Sequence, residues 1–305
     1  MTDPLIVLTR IWPTPERPSL GSFVRARTTG VPGIRVVKPR GGRMPRALIY
    51  AVLLIDALRV RRPRGVEAHM LVPTGFVGLL VARLRGVPLV VYAHGRDVSD
   101  WKPPIAPLRW LSRLVARSAD RVVTNSEETA RQVRLLGARD PIVAPPGVDL
   151  SRFTPTPRPA ARRVLYLGGG DPRKGYEVAR GLADTLVGPG LDELDPDRIP
   201  ALIAEHDVVL VPSLAEPFGL VAVEGIASGR WVIANAAGGL VEIVQDGVNG
   251  TLVHDGDFAA ALAGVPDYDP ETVARTVARF SLTAWQAELD RIWTDATAEG
   301  RTAAR

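Results

Sequence analysis

Short apolar runs alternate with helical patterns over most of this chain, and that alternation limits the fold more than any other feature. Residues 5–9, 34–37, 68–72, 88–92, 121–124 and 141–144 read as strands, with helices expected over 47–60, 75–85 and 127–136. Strand, helix and strand in repetition pack as a parallel sheet with helices on its faces. The segment from Pro145-Pro146-Gly147-Val148-Asp149 to Pro159 is proline-rich and unpatterned, which marks a linker. Strands then resume at 163–167, 185–187, 207–211, 231–234 and 249–253, and helices are expected over 199–205, 271–280 and 283–293. At 305 residues the chain exceeds the usual single domain. The expected class is therefore α/β, with two doubly wound domains.

Composition removes several functions. There is no cysteine, so disulfides, thiol catalysis and thiolate metal sites are excluded. Met1-Thr2-Asp3-Pro4 leads straight into Leu5-Ile6-Val7-Leu8 without a basic segment or cleavage site, so secretion is not expected. No apolar run reaches the roughly 20 residues of a membrane-spanning helix; the nearest, 47–58, is interrupted by Asp56 and reads as a core helix. The net charge of +5 hides an asymmetry. Residues 1–150 carry 24 Lys and Arg against 11 Asp and Glu, a balance of +13, and the remainder carries 14 against 22, or −8. Such a basic half suits an anionic membrane surface, a nucleic acid or an acidic substrate, or it is solvated charge in an arginine-rich chain. The densest positive region is the loop Lys38-Pro39-Arg40-Gly41-Gly42-Arg43-Met44-Pro45-Arg46 together with Arg59, Arg61, Arg62 and Arg64 at the far end of the next helix. That helix reads either as core with basic ends or as a lipid-docking element.

Three places carry candidate chemistry. The run from Asp207 to Val211 breaks at Pro212-Ser213, and a loop with Glu216 follows. Gly219 then opens a helix holding Glu224 in its second turn. Free N–H groups and partial positive charge at such a helix start suit a phosphate, and the two carboxylates could accept hydrogen bonds from sugar hydroxyls. Strand 163–167 runs into Gly168-Gly169-Gly170-Asp171-Pro172-Arg173-Lys174-Gly175, a glycine-rich loop with a basic pair that suits phosphate; Lys174 is one of only three lysines. His94, followed by Gly95, comes just past the carboxyl end of strand 88–92, where residues of such sheets face a ligand. Gly21, between the first strand and first helix, would let backbone approach the same edge.

In order and spacing, several of these segments resemble the retaining glycosyltransferases of family four. The resemblance rests on Gly21-Ser22-Phe23-Val24, residues 69–78, His94-Gly95-Arg96-Asp97, Asn125-Ser126, Pro146-Gly147-Val148-Asp149 with Phe153 and Pro155, Arg173-Lys174-Gly175, and Pro212-Ser213. Glu216-Pro217-Phe218-Gly219-Leu220 with Glu224, the family's E-x7-E signature, matches most strongly. Gly238-Gly239 with Glu242 and Asp246-Gly247 to Asn249-Gly250 follow in order. The resemblance implies the GT-B architecture, with two Rossmann-like domains facing across a cleft. The implied division is an acceptor-side domain at 1–149, a compact nucleotide-sugar domain at 150–278, and a C-terminal helix at 279–305 returning to the first domain.

It also implies metal-independent sugar transfer from a nucleotide-diphosphate sugar, UDP- or GDP-type, to a hydroxyl acceptor, with retention of anomeric configuration and no resident cofactor. Glu224 would bind the donor ribose. Glu216 and the backbone of Phe218, Gly219 and Leu220 would hold the donor sugar and its phosphate. Lys174 and Arg173 would neutralise the diphosphate. His94 would line the sugar site, and Gly21 would admit backbone to the distal phosphate; His94 and Glu216 are the expected catalytic residues. Two features depart from the family: Gly169 stands where an arginine is usual, and the stretch between Gly175 and Ile199 is short. They motivate the alternative of a degenerate protein that binds nucleotide or a partner without transfer. No metal site is expected, since Asp257 of Asp255-Gly256-Asp257 reads as a helix cap and Asp195-Pro196-Asp197 follows no strand. The expected location is the cytoplasm, with contact of the basic half to anionic membrane or nucleic acid as the partner reading.

Overall fold

The structure is a computed structural model that describes residues 3–14, 20–29, 31–39, 45–95, 97–98 and 106–303, with the side chains of 46–47 and 299–303 outside the description. Arg40 to Met44 of the basic loop, Arg96, and residues 15–19 of the first proline-rich loop fall outside the described residues. The chain divides into two units, 1–144 with 286–305, and 145–285.

The first unit runs β1 (Leu5–Leu8), α1 (Ser22–Thr28), β2 (Ile34–Val37), α2 (Arg46–Leu58), β3 (Gly65–His69), α3 (Phe76–Arg85), β4 (Leu89–Ala93), α4 (Ala106–Ser118), β5 (Arg121–Thr124), α5 (Glu127–Leu136) and β6 (Ile142–Val143). Its six strands pair in parallel in the order β2-β1-β3-β4-β5-β6. Strands β1, β3 and β4 are buried along their full length, as expected of a sheet covered on both faces. The order turns back between β1 and β3, so the loops after these strands part at their carboxyl ends and leave a crevice there. Gly21 and His69 flank that point.

The second unit runs β7 (Val164–Tyr166), α6 (Tyr176–Leu182), β8 (Thr185–Leu186), α7 (Ile199–Ala204), β9 (Val208–Val211), α8 (Leu220–Ala227), β10 (Trp231–Asn235), α9 (Leu240–Ile243), β11 (Gly250–Val253), α10 (Phe258–Ala263) and α11 (Pro270–Arg275), and α12 (Leu282–Ala303) leaves it. Five parallel strands lie in the order β11-β10-β9-β7-β8, with the reversal between β7 and β9. The glycine-rich loop follows β7 and the Glu216 loop follows β9, so topology alone brings the two phosphate candidates together. The linker is anchored by charge: Arg158 pairs with the buried Asp207, and the fully buried Arg230 donates to carbonyls of Thr156, Pro157, Ile203 and Ala204.

Two elements differ from the sequence expectation. The strand expected at 68–72 lies at Gly65–His69, because Glu67, an unpromising residue for a buried strand, is fully buried and hydrogen-bonded. The single helix expected over 271–280 is two pieces, α11 and a 3₁₀ turn at Ala278–Phe280. Helix α2 turns Leu53 and Ala57 into the core and leaves Leu48 and Ile55 exposed.

Candidate active site

In the second unit the loops after β7 and β9 are tied together. Leu214 N–H donates to the Arg173 carbonyl at 2.9 Å, and Lys174 Nζ forms an ion pair with Glu216 Oε2. Glu216 is 11% exposed, and Ser213 Oγ also donates to it at 3.2 Å. Asn235 at the end of β10 holds the Ser213 carbonyl (3.2 Å), and Gly239 N–H donates to the Glu216 carbonyl (2.8 Å). Ser213, Asn235 and Gly239 thus fix the backbone that presents Glu216. Beyond it Phe218 is buried against Phe280, and Gly219 caps α8 with Leu220 as its first residue. The N–H groups of Gly219, Leu220 and Val221 find no acceptor among the described residues, so they remain available to an anion.

Glu224 lies one turn further along α8, half-buried, and its carboxylate makes no hydrogen bond to a described side chain. Burial pushes its pKa up to about 7, with Arg152 partly opposing the shift. A carboxylate held this way lacks hydrogen-bond donors, which two adjacent hydroxyls would supply.

Arg173 is not free for phosphate in this arrangement. Its Nε and a terminal nitrogen both bond Asp171, whose Oδ1 also accepts the Arg173 N–H. The same hydrogen bonds lower the Asp171 pKa and raise that of Arg173. The glycine-rich loop is braced from beneath: Tyr166 Oη donates to the Gly169 carbonyl at 2.9 Å, and Gly169 N–H donates to the Val187 carbonyl at 3.0 Å. Gly169 has φ +65, and a Cβ there would collide with the Pro189 carbonyl and amide nitrogen. The family's arginine at this position is therefore incompatible with the short 183–198 stretch as it packs here. Asp257 caps α10 through Ala260 N–H, and Asp195 caps the turn Pro196–Arg198.

In the first unit His94 follows β4 and is half-buried beside Phe23 (centroids 5.0 Å) and parallel to His69 (5.2 Å, 10°). His94 Nε2 lies 3.0 Å from His69 Nδ1; His69 Nε2 lies 3.2 Å from Glu67 Oε1; and Trp293 Nε1 on α12 donates to Glu67 Oε2 at 2.9 Å. Burial alone would raise the Glu67 pKa, but the His69 hydrogen bond, the His69 and Arg27 charges and the Trp293 N–H bring it below the ordinary value. Burial, then the nearby His69, holds His94 well below the ordinary histidine range, so its imidazole is neutral at neutral pH. Asp97 accepts from His94 N–H (2.9 Å) and Leu71 N–H (2.8 Å), clasping the ends of β3 and β4. Gly21 stands in the left-handed region, φ +68, where a Cβ would strike the Ile11 carbonyl carbon at 2.6 Å.

Glu67 and His69, two positions apart, share one face of β3, but Trp293 lies more than 200 positions further on, so no local spacing relates it to them. The only signal was the oddity of a glutamate inside an apolar strand. Glu67→Gln keeps the shape and forfeits one acceptor, so it is expected to cost about 1–2 kcal/mol of stability, read as a lower denaturation midpoint.

Two parallel α/β units with loops of this kind define the GT-B class. Solved structures share it: HepE of Anabaena in complex with UDP has a TM-score of 0.73 and 19% identity, over 96% of this chain and all of that one. Sucrose-phosphate synthase of Thermosynechococcus elongatus gives 0.73 and 19%, over 98% of this chain and all of that one. The Glycosyltransferase Family 4 model matches residues 5–152 and the Glycosyl transferases group 1 model residues 152–265, and the chain belongs to glycosyltransferase family 4. Among its relatives are proteins named D-inositol 3-phosphate glycosyltransferase. That of Mycolicibacterium vanbaalenii is 35% identical over 285 residues, covering 72% of this chain and 63% of the relative. That of Geodermatophilus obscurus is 35% identical over 257 residues, covering 63% and 57%. The chain thus spans less than two thirds of the length of these relatives.

Proposed function

We propose that this protein transfers a sugar from a nucleoside-diphosphate sugar, of the UDP or GDP type, to a hydroxyl acceptor, with retention of configuration and without a bound metal. The observation that carries the reading is the Lys174–Glu216 ion pair beside the unsatisfied N–H groups that open α8. The donor diphosphate would displace Glu216 from Lys174, and the ammonium and the helix start would stabilise the negative charge that grows as the glycosidic bond breaks. Glu216, released, accepts hydrogen bonds from donor-sugar hydroxyls, and the backbone of Phe218, Gly219 and Leu220 holds the adjacent phosphate. Glu224 binds the ribose, and neutral His94 contacts the donor sugar. Gly21 admits backbone to the distal phosphate. Arg173 adds positive charge once it exchanges Asp171 for phosphate. The acceptor hydroxyl attacks on the face that the nucleotide leaves, with the departing phosphate as base.

The relatives' names and the basic first half support an anionic acceptor, with an inositol phosphate the first to assay. The absence of a cation at Gly169 and the Asp171 hold on Arg173 favour the second reading, a nucleotide binder without transfer. Incubation with a panel of nucleotide sugars separates the two, because slow donor hydrolysis or transfer excludes the inactive form.

Glu224 supplies a pH test. Its folded pKa lies above its unfolded value near 4.5, so its contribution to stability is full below pH 4.5 and is lost as pH rises to about 7. Glu224→Gln should raise the stability of the free protein at pH 8 by about 1–3 kcal/mol, allowing for partial exposure, and leave it unchanged at pH 4.5. The same variant should weaken donor binding about tenfold, measured by calorimetric titration. Equal affinity would remove Glu224 from the ribose site.

A further inference from the structure

Helices α3 and α4 lie side by side on one face of the first unit's sheet, joined where Arg83 donates to the Ser118 carbonyl at 3.3 Å. Their outer surface is both apolar and cationic. Trp110 is 62% exposed and Leu84 69% exposed, with Leu80 and Leu108 more than a third exposed. An indole on an open helix face is unusual for a side chain that recovers so much free energy on leaving water. The helical period explains the arrangement on α4. Ser112, Val115 and Ala116 face the core, the far side carries Trp110, Arg113 and Arg117, and Arg109 stands exposed on the flank of the first turn. Trp110, Arg113, Leu114 and Arg117 line a shallow open depression.

The charge is of one sign. The sequence has no acidic residue between Glu67 and Asp97, nor between Asp100 and Asp120, so α3 and α4 bear arginines alone. Neither Arg109 nor Arg113 has an acidic partner among the described residues. Unpaired guanidinium groups beside exposed apolar side chains repel one another unless a partner supplies both negative charge and an apolar phase.

We propose that the α3–α4 face docks on the surface of an anionic bilayer, with Trp110 and the exposed leucines of the two helices entering the headgroup boundary and Arg109 and Arg113 meeting lipid phosphates. Interfacial helices bind in this way, an apolar side sunk into the boundary and a basic side against anionic lipid. Nucleic acid would draw on the arginines but leave the leucines of α3 exposed, so it fits less of the surface. The contact holds the protein flat on the membrane and crosses nothing; no described helix is long and apolar enough to span a bilayer. It is independent of the sugar-transfer reading, because none of its residues belongs to the donor site.

The test is sedimentation of the full chain with vesicles of phosphatidylglycerol and phosphatidylcholine, and with phosphatidylcholine alone, across a salt series. Binding is expected to the anionic vesicles only and to fall steeply with salt. Arg109→Ala with Arg113→Ala is expected to weaken it roughly 30-fold, taking about 1 kcal/mol for each arginine. Trp110→Asp is expected to weaken it by about tenfold or more. These side chains are exposed and have no acidic partner among the described residues, so unchanged circular dichroism and nucleotide binding should show that the variants stay folded. No binding to anionic vesicles at low salt, equal binding by the variants, or loss of vesicle binding to competing duplex DNA at low concentration would each overturn the proposal.

Discussion

Lys174→Ala should lower kcat by about 10²–10³-fold while leaving the fold intact. Among the described residues Lys174 is the cation that pairs with Glu216 ahead of α8, and it is about a third exposed, so its removal opens no cavity. Two effects act in the same direction. On the proposed mechanism the growing charge on the diphosphate would lose its nearest ammonium, and Glu216, largely buried, would lose its counter-ion and repel an incoming phosphate. The first lowers kcat and the second raises KM, so kcat/KM should fall further than kcat. Steady-state release of nucleoside diphosphate measures both. Lys174→Arg keeps the charge with a different shape and should recover part of the loss. An alanine variant within about twofold of the parent would place the leaving-group charge elsewhere.

Gly169→Arg, which restores the residue usual in the family, should destabilise the second unit by about 2–5 kcal/mol and fail to raise turnover. The left-handed backbone at φ +65 costs a side chain about 1–2 kcal/mol, and the collision with Pro189 adds the penalty of an overpacked contact. Scanning calorimetry should show the transition falling by roughly 5–15 °C. A variant of unchanged midpoint and higher turnover would mean that the loop can open to admit a cation, and that Arg173 is no substitute.

The local pattern was a good guide where one rule governed. β5 and α5 fall at Arg121–Thr124 and Glu127–Leu136, the limits expected, because a short apolar run is followed by Ser126 as N-cap and Gly137 as C-cap. The glutamates of E-x7-E were legible as a motif, and their places in the loop before α8 and in its second turn followed from Gly219. What escaped was long-range. Asp171 holding Arg173 could be guessed from neither residue alone, since each also reads as a phosphate-loop residue. Strand β3 lies outside the limits that its apolar pattern suggests because the burial of Glu67 depends on Trp293, more than 200 positions away. Gly169 read as a missing arginine, and only the packing of Pro189 above it shows why no side chain fits.

The most direct measurement is mass spectrometry of the full chain incubated with mixed UDP- and GDP-sugars, inositol phosphate and a chelator. The account predicts nucleoside diphosphate release and a hexose-sized mass gain on the acceptor, with loss of both signals in Lys174→Ala; the anomeric proton coupling of the product, read by NMR, should match that of the donor. Nucleotide binding with no diphosphate released from any donor, under conditions where the protein is folded, would contradict it.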